Sequence, residues 1–344
     1  MPSTVPERDA APLIRAAALP GDCPADSADG AQPVTAVAVG VIERGRRVLI
    51  ARRSPDRHQG DRWEFPGGKL AAGESAPAAL ARELREELGI EVIHAQPLMT
   101  VAHDYPDRRV RLQVFRVTQF DGRARGCEGQ AIRWVSKADL PDYRFPDANR
   151  PIVNAVRLPS AYLITAPQPS SPETFLADLT QAYARADGLV QFRAPALHGA
   201  DWFDLAARTV CWVQAQGGRI LVNGSAAAAQ RLAADGVHLN SRRLLALSER
   251  PLSPDYWVAA SCHNANELRH AQRIGVDFVV LGPMYPTASH PGAAVLGEAQ
   301  FAALAAAANL PAYALGGLTL ADWPRVRGLG AQGIAGISAF WPAG

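Results

Sequence analysis

The alternation of apolar and polar positions changes character near residue 160, and the two regimes predict two architectures. Before that point the apolar runs are long and few. Residues 34–42 read VTAVAVGVI and 48–51 read VLIA, with Arg44-Gly45-Arg46 between them, which is a strand–turn–strand pattern. Further strands are expected near 98–103, 110–120 and 131–135, and helices over 76–88 and about 148–157. The result is a mixed sheet with few helices. From residue 161 short apolar runs recur, each followed by an Ala/Leu-rich helical stretch: YLIT (162–165), GLVQF (188–192), RILV (219–222), GVHL (236–239), WVAA (257–260), FVVLG (278–282), AYAL (312–315) and GIAGIS (333–338). Eight such units predict a compact (β/α)8 TIM-type barrel, with GVHL the shortest strand. Residues 1–32 are rich in Ala, Pro, Asp and Gly without a sustained period, which predicts a mobile tail. The expected division is therefore a tail over 1–32, an α/β domain over 33–158 and a barrel over 159–344, meeting at Leu158-Pro159-Ser160.

Composition supports two soluble domains. A chain of 344 residues exceeds what one core usually holds. Apolar content of 48% with 20% charged residues is that of a folded globular protein. A net charge of +2 is too small to make nucleic acid the main partner. Charge is concentrated in the first half, and no lysine occurs after Lys137. Cys23, Cys127, Cys211 and Cys262 stand alone, so neither a zinc site nor a disulfide framework is indicated, and a reducing cytoplasm fits. Glu7, Arg8, Asp9 and Arg15 interrupt any signal-peptide pattern. No apolar run reaches 18 residues, so no membrane span is expected.

The densest chemistry lies in 67–90. Ser75 suits an N-cap, Pro77 the first turn and Gly89 the C-terminal stop. Leu80, Leu84 and Leu88 form an apolar stripe, and Glu83, Glu86 and Glu87 share another face at i, i+3, i+4. Carboxylates that close raise one another's pKa, and a hard divalent cation such as magnesium resolves the repulsion. Gly67-Gly68 would let backbone approach metal and phosphate closely. The competing reading is a solvated acidic face with Arg82 and Arg85 as surface partners.

The wider spacing favours the metal site. Gly68, Glu74, Arg82, Glu83, Leu84, Glu86, Glu87, Gly89 and Ile90 resemble the Nudix box, G-x5-E-x7-R-E-U-x-E-E-x-G-U with U apolar, at every position. The resemblance implies an α/β/α sandwich that holds Mg2+, with Mn2+ as a substitute, against the substrate's phosphates. It implies that Glu83, Glu86 and Glu87 hold the metal or its waters, with the Gly67 backbone and Glu128 beside them. Arg82 would hold a box carboxylate in place, and Glu83 is the expected base. Hydrolysis would release a monophosphate and pyrophosphate.

Further pieces are similar to the MutT branch, which hydrolyses 8-oxo-dGTP: Ala51-Arg52-Arg53, His58, Trp63-Glu64-Phe65-Pro66-Gly67-Gly68-Lys69, Tyr105-Pro106-Asp107-Arg108, Glu128-Gly129-Gln130, Trp134 and Phe145-Pro146-Asp147-Ala148-Asn149. The expected substrate contacts are Arg53, His58, Glu64, Phe65, Pro66, Gly67, Arg108 and Asn149. Asn149 offers donor and acceptor to a purine edge, Phe65 could pack on the base, and the arginines suit phosphate or ribose oxygens. Each has a plainer alternative: Phe65 as core, the arginines as surface, Asn149 as the cap of the helix that follows. The partner implied is a small nucleoside triphosphate, with no stable nucleic-acid or membrane binding.

Residues 161–340 resemble thiamin phosphate synthase and its TenI-like relatives through Gln191-Phe192-Arg193, Val222-Asn223, Ala234-Asp235-Gly236-Val237-His238-Leu239, Ser261-Cys262-His263, Gly282-Pro283-Met284-Tyr285-Pro286-Thr287, Ala314-Leu315-Gly316-Gly317 and Ile337-Ser338. The resemblance places a phosphate cup at Gly316, Gly317 and Ser338. It also exposes departures. Gly224 and Arg243 stand where the synthases have metal-binding aspartates, and Pro195 and His290 where they have pyrophosphate-binding lysines. A reaction that expels pyrophosphate needs that positive charge. The leading expectation is thus a nucleotide-pool hydrolase with an accessory phosphate-ligand barrel, acting in mutation avoidance during DNA replication and repair. The alternative is a thiamin-related bifunctional protein whose Nudix half cleaves a precursor's pyrophosphate while the barrel acts on a thiazole phosphate. For His238 and His263 the plain alternative is a satisfied polar residue at the barrel mouth.

Overall fold

The computed structural model describes residues 33–166, 171–287, 292 and 294–341; the tail expected over 1–32 lies outside them. The first region contains β1 (Val34–Arg44), β2 (Arg47–Arg52), β3 (Trp63–Glu64), β4 (Gly67–Lys69), α1 (Ala76–Leu88), β5 (Glu91–Asp104), β6 (Arg109–Asp121), β7 (Ile132–Ser136) and α2 (Arg150–Arg157). The strands form one seven-stranded sheet of order β3-β2-β1-β6-β5, with β4 on β1 and β7 on β2. The expected strands all exist, and all but β7 run longer than their apolar runs. β3 and β4 were not foreseen, because two or three residues around Pro66 and Gly67 carry no period.

Helix α1 follows its sequence signals with one correction. Ser75 occupies the N-cap position but its side chain makes no capping hydrogen bond. Gly89 adopts φ 66°, and the chain closes with Gly89 N–H on the Arg85 carbonyl (3.0 Å) and Ile90 N–H on that of Leu84 (3.4 Å), the left-handed helix stop. Leu80, Leu84 and Leu88 are buried against Ala38, Ile42, Leu49, Phe115 and Val117. That packing turns the Glu83 and Glu87 side of the helix towards the β4 loop.

The barrel contains β8 (Ala161–Ile164), α3 (Pro172–Tyr183), β9 (Leu189–Phe192), α4 (Gly199–Ala215), β10 (Arg219–Val222), α5 (Ala226–Arg231), β11 (Gly236–Leu239), α6 (Ser241–Leu245), β12 (Trp257–Cys262), α7 (Ala265–Ile274), β13 (Phe278–Leu281), α8 (Gly297–Ala307), β14 (Ala312–Leu315), α9 (Trp323–Gly328) and β15 (Gly333–Gly336). Strands β8 to β15 close into a parallel barrel, GVHL included. Both faces of each strand are buried, as parallel barrels require. Tyr162, Leu221, Trp257, Ala259, Phe278 and Tyr313 form an inner cluster, while their chain neighbours Leu163, Ile220, Val222, Val258 and Val279 pack with the helices.

By internal packing, the described residues form two compact units: 35–97 with 112–144, and 98–111 with 145 onwards. Within the second unit, buried Asp277 accepts from Arg250 (2.7 Å), the Val258 N–H (2.8 Å) and the Asn154 amide (3.3 Å). A charge buried at the start of β13 is thereby satisfied on several sides.

Candidate active site

Two glycines decide how the glutamates stand. Gly67 has φ 143°, and a Cβ there would collide with the Ala38 carbonyl. In this conformation its N–H donates to Glu87 Oε2 at 3.1 Å. At Gly68 the space a side chain would fill is taken by the Glu83 carboxylate. The β4 loop thus grips two helix glutamates that the i, i+4 spacing had already put on one side.

Glu87 is 8% exposed. Desolvation pushes its carboxyl up to about 7; the Gly67 N–H offsets part of this, and the charges of Glu64, Glu128 and Glu83 add to it. Glu64 is also raised by burial, against the opposing effect of its ion pair with Arg53. A cavity of about 360 Å³ is lined by Arg53, Arg57, Glu64, Glu87, Glu128 and Gln130. Arg57 reaches Glu128 at 3.6 Å, an exposed pair worth little energy. Gln130 braces the loop: its side-chain oxygen accepts from Glu128 N–H (2.9 Å) and its amide donates to the Glu87 carbonyl (3.0 Å).

Arg82 is shared among three carboxylates, Glu74 (2.9 Å), Glu83 (2.8 Å) and Glu86 (3.2 Å), and also donates to the Lys69 carbonyl (3.0 Å). Its hydrogen bonds to Glu74, with help from Ala71 N–H, hold that carboxyl down at about 2. The box arginine therefore ties the helix to the loop before it. Glu86 lies on the exposed side of this cluster.

Arg53, Glu64, Glu87 and Glu128 thus meet in one cavity, with Glu83 against the adjoining loop. His58 lies in the same loop region, its carbonyl accepting from Arg53 Nε at 3.2 Å. Pro66 is buried and its carbonyl accepts from Gly40 N–H (2.8 Å). Phe65 corrects the expectation of base packing: it is 2% exposed, so its ring serves the core and only its backbone remains for a ligand. Arg108 and Asn149 belong to the second compact unit. There Arg108 is exposed and paired with Asp107 (2.8 Å), and Asn149 is buried in a 3-10 turn without capping α2. Gly316, Gly317 and Ser338 line a cavity of about 590 Å³ at the barrel mouth. Arg57 and Gln130 were not foreseen as site residues; the sequence signals are the nearness of Arg57 to His58 and the place of Gln130 in the Glu128-Gly129-Gln130 piece.

Among the described residues no three His, Cys, Asp or Glu groups converge tightly enough to hold an ion as placed. Arginines bind several of the carboxylates instead: Arg82 holds Glu83 and Glu86, Arg53 holds Glu64, and Arg57 holds Glu128. The donor chemistry nevertheless suits a hard divalent cation, because Glu64, Glu83 and Glu128 act on Glu87, whose carboxyl is raised to about 7 mainly by burial and further by their charges.

Comparison with known proteins agrees with both halves. The family model described as NUDIX domain matches residues 37–155, and that described as thiamine monophosphate synthase matches 161–340. The 8-oxo-dGTP diphosphatase of Escherichia coli (strain K12) is 37% identical over 118 residues, 34% of this chain and 92% of that one. The CTP pyrophosphohydrolase of the same organism is 35% identical over 119 residues, 35% of this chain and 88% of that one. The putative thiamine-phosphate synthase 2 of Aquifex aeolicus (strain VF5) is 31% identical over 188 residues, 54% of this chain and 99% of that one. Nudix hydrolases generally use divalent metal ions. The chain belongs to the Nudix family through residues 37–155, as a pyrophosphohydrolase, and to the thiamine monophosphate synthase family through residues 161–340.

Proposed function

We propose that the Nudix half hydrolyses 8-oxo-dGTP to 8-oxo-dGMP and pyrophosphate, and so removes an oxidised nucleotide from the pool before DNA replication. The observation that carries this reading is Glu87, buried among Glu64, Glu83 and Glu128 and gripped by the Gly67 N–H (3.1 Å). A relative named 8-oxo-dGTP diphosphatase supports the choice of base. Mg2+, or Mn2+ in its place, would be held by Glu83, Glu86, Glu87, Glu128 and the Gly67 backbone, where it neutralises phosphate charge and makes water a stronger acid.

The chain's own groups do the rest. Arg82 orients Glu83 and Glu86 through its 2.8 and 3.2 Å contacts. Glu83 takes the proton of the attacking water. A phosphorus–oxygen bond forms to water, and the bond to the pyrophosphate leaving group breaks. Arg53 and Arg57 offer cations to phosphate oxygens, with His58 and the backbone of Glu64 to Gly67 beside them. Asn149 reads the purine edge and Arg108 holds a phosphate or ribose oxygen.

The Nudix domain is assigned to 33–158 and the barrel to 159–344, in line with the extents of the two family matches. Among the described residues no helix is long and apolar enough to cross a membrane, and Cys127, Cys211 and Cys262 are free thiols; both fit a cytoplasmic enzyme of small nucleotides. The barrel acts as an accessory module for a phosphorylated ligand. A thiamin-related reading keeps support from the barrel's family.

The test is a substrate panel on the full chain with Mg2+: 8-oxo-dGTP, dGTP, CTP, thiamin diphosphate and its pyrimidine diphosphate precursor, with product analysis. Marked preference for 8-oxo-dGTP is expected. Equal rates on dGTP overturn the sanitation reading, and preference for a thiamin compound installs the alternative.

A further inference from the structure

Inside the barrel a line of polar side chains has a fixed direction. Arg243 has only donors, so the Asn223 atom facing its Nη1 at 3.3 Å is the oxygen. The Asn223 amide nitrogen is then free to donate to Gln191 Oε1, 3.0 Å away. Gln191 and the Tyr162 hydroxyl are both buried in the same interior, where burial raises the Tyr162 pKa against a smaller opposing effect of Gln191. Burial thus keeps the Tyr162 hydroxyl protonated, and it faces His238 Nδ1 at 3.2 Å. Burial, with Arg193 nearby, pushes the His238 imidazole down to about 3, so the ring is neutral. A neutral ring that accepts at Nδ1 carries its hydrogen on Nε2 and donates it to Ser261 Oγ at 2.8 Å. The relay therefore runs Arg243, Asn223, Gln191, Tyr162, His238, Ser261, and the Ser261 hydroxyl hydrogen is left for something in the mouth. Tyr162, Gln191 and His238 are no more than 2% exposed, and buried polar groups of this kind persist when every member is satisfied.

The two ends of the relay open into different cavities. Ser261 lines the mouth cavity with the Gly316-Gly317-Ser338 cup. Arg243 lines a separate side cavity of about 660 Å³ beside the ends of β9, β10 and β11 and the start of α4, together with Arg193, Leu197, His198, Trp202 and Asn223. Arg193, Asn223 and Asn240 line both cavities, which therefore adjoin. No Asp or Glu occurs among the described residues that line either one. Neither Arg193 nor Arg243 forms an ion pair with a described residue, and burial lowers the pKa of Arg193, as for a cation short of counter-charge.

We propose that the side cavity is a metal-independent binding site for an organic phosphate or diphosphate, its anionic group held by Arg193 and Arg243 and its organic part against Leu197 and Trp202. Arg243, standing where the related synthases have a metal-binding aspartate, brings positive charge with the side chain rather than with an ion. The relay anchors Arg243 through Asn223 and keeps Ser261 a donor to whatever part of the ligand enters the mouth. The proposal does not rest on the hydrolase reading, because its residues all lie in the barrel.

Inorganic pyrophosphate is the probe. Isothermal titration of the full chain in excess EDTA should show saturable binding that E87Q leaves unchanged and that R243Q and R193Q each weaken at least about tenfold. Binding that requires added Mg2+, no saturable binding, wild-type affinity in either arginine variant, or loss of affinity in E87Q would each overturn the site. Far-UV circular dichroism guards against misfolding; should R193Q unfold, R243Q alone decides the matter.

Discussion

Around the β4 loop of the Nudix half, Glu64, Glu83, Glu87 and Glu128 crowd one another, and Glu87 is pushed up to about 7. In the barrel, Arg193 and Arg242 line the mouth cavity and Arg193 and Arg243 the side cavity, among lining residues that include no described carboxylate. Both regions suit phosphate ligands by opposite means. Clustered carboxylates can approach a phosphate only through a shared cation, so the first site needs an imported charge. Arginines carry their own charge and need no ion. The difference is visible at single positions: Glu87 gathers carboxylate neighbours, while Arg243 stands where a metal ligand would repel a bare phosphate.

The largest way to break the contrast is Glu87→Gln. Turnover with Mg2+ should fall by at least about 10³-fold in a steady-state assay, because a carboxylate that helps to hold the metal is gone. The same change should stabilise the metal-free fold. Glu87's raised pKa means its favourable contribution is full below the ordinary value of 4.5 and lost as pH rises through about 7, so at pH 8 the ionised group costs up to about 3 kcal/mol. Thermal denaturation in EDTA at pH 8 should show a higher midpoint for the variant; an equal or lower one would mean that the ionised Glu87 carries no penalty from burial and its carboxylate neighbours.

In the barrel the matching change is Gln191→Leu, which leaves the Asn223 amide without its partner and puts an apolar group into a buried polar line. Denaturant titration should show a loss of about 2–3 kcal/mol. Next comes Gly68→Ala, whose methyl group would overlap the Glu83 carboxylate. Activity should drop by about 10–100-fold with little change in the unfolding midpoint, since Gly68 has a negative φ and only the carboxylate must move. The smallest effect is a pH trend. Metal binding must displace the Glu87 proton, so Mg2+ affinity should fall by up to about tenfold per pH unit below 7 and level off above it, as isothermal titration can measure. Flat affinity from pH 5.5 to 8 would mean that Glu87 is not a ligand.

Much of this was legible in the residues themselves. Ala76–Leu88 and its end at Gly89 follow from helix period and stop signals, and all eight barrel strands appear where the apolar runs stand. The box spacing also places Arg82 one turn from Glu86, and the 3.2 Å contact follows. The exceptions share a cause. Ser75 has the right residue type for a cap, but its hydroxyl makes no bond to the helix. Phe65 has the right position for stacking, yet its ring is buried because the loop turns at Pro66 and Gly67.

The sequence by itself determined what is local in this protein: the glutamate face of α1, the glycine loop that precedes it, the eight strand–helix units and the identities of Gly224 and Arg243, where the resemblance to the synthases leads one to expect aspartates. These depend on periods of two and 3.6 residues and on residue identity. Only the tertiary structure decided which distant residues share a cavity. Residues 53, 64, 87 and 128 meet because β2, β3 and the end of α1 are brought together by sheet pairing and by the Gln130 brace. The relay from Arg243 to Ser261 exists because barrel closure points side chains from β8, β9, β11 and β12 into one interior. Such contacts join residues tens of positions apart, and no short-range pattern in a chain encodes which of them will be neighbours.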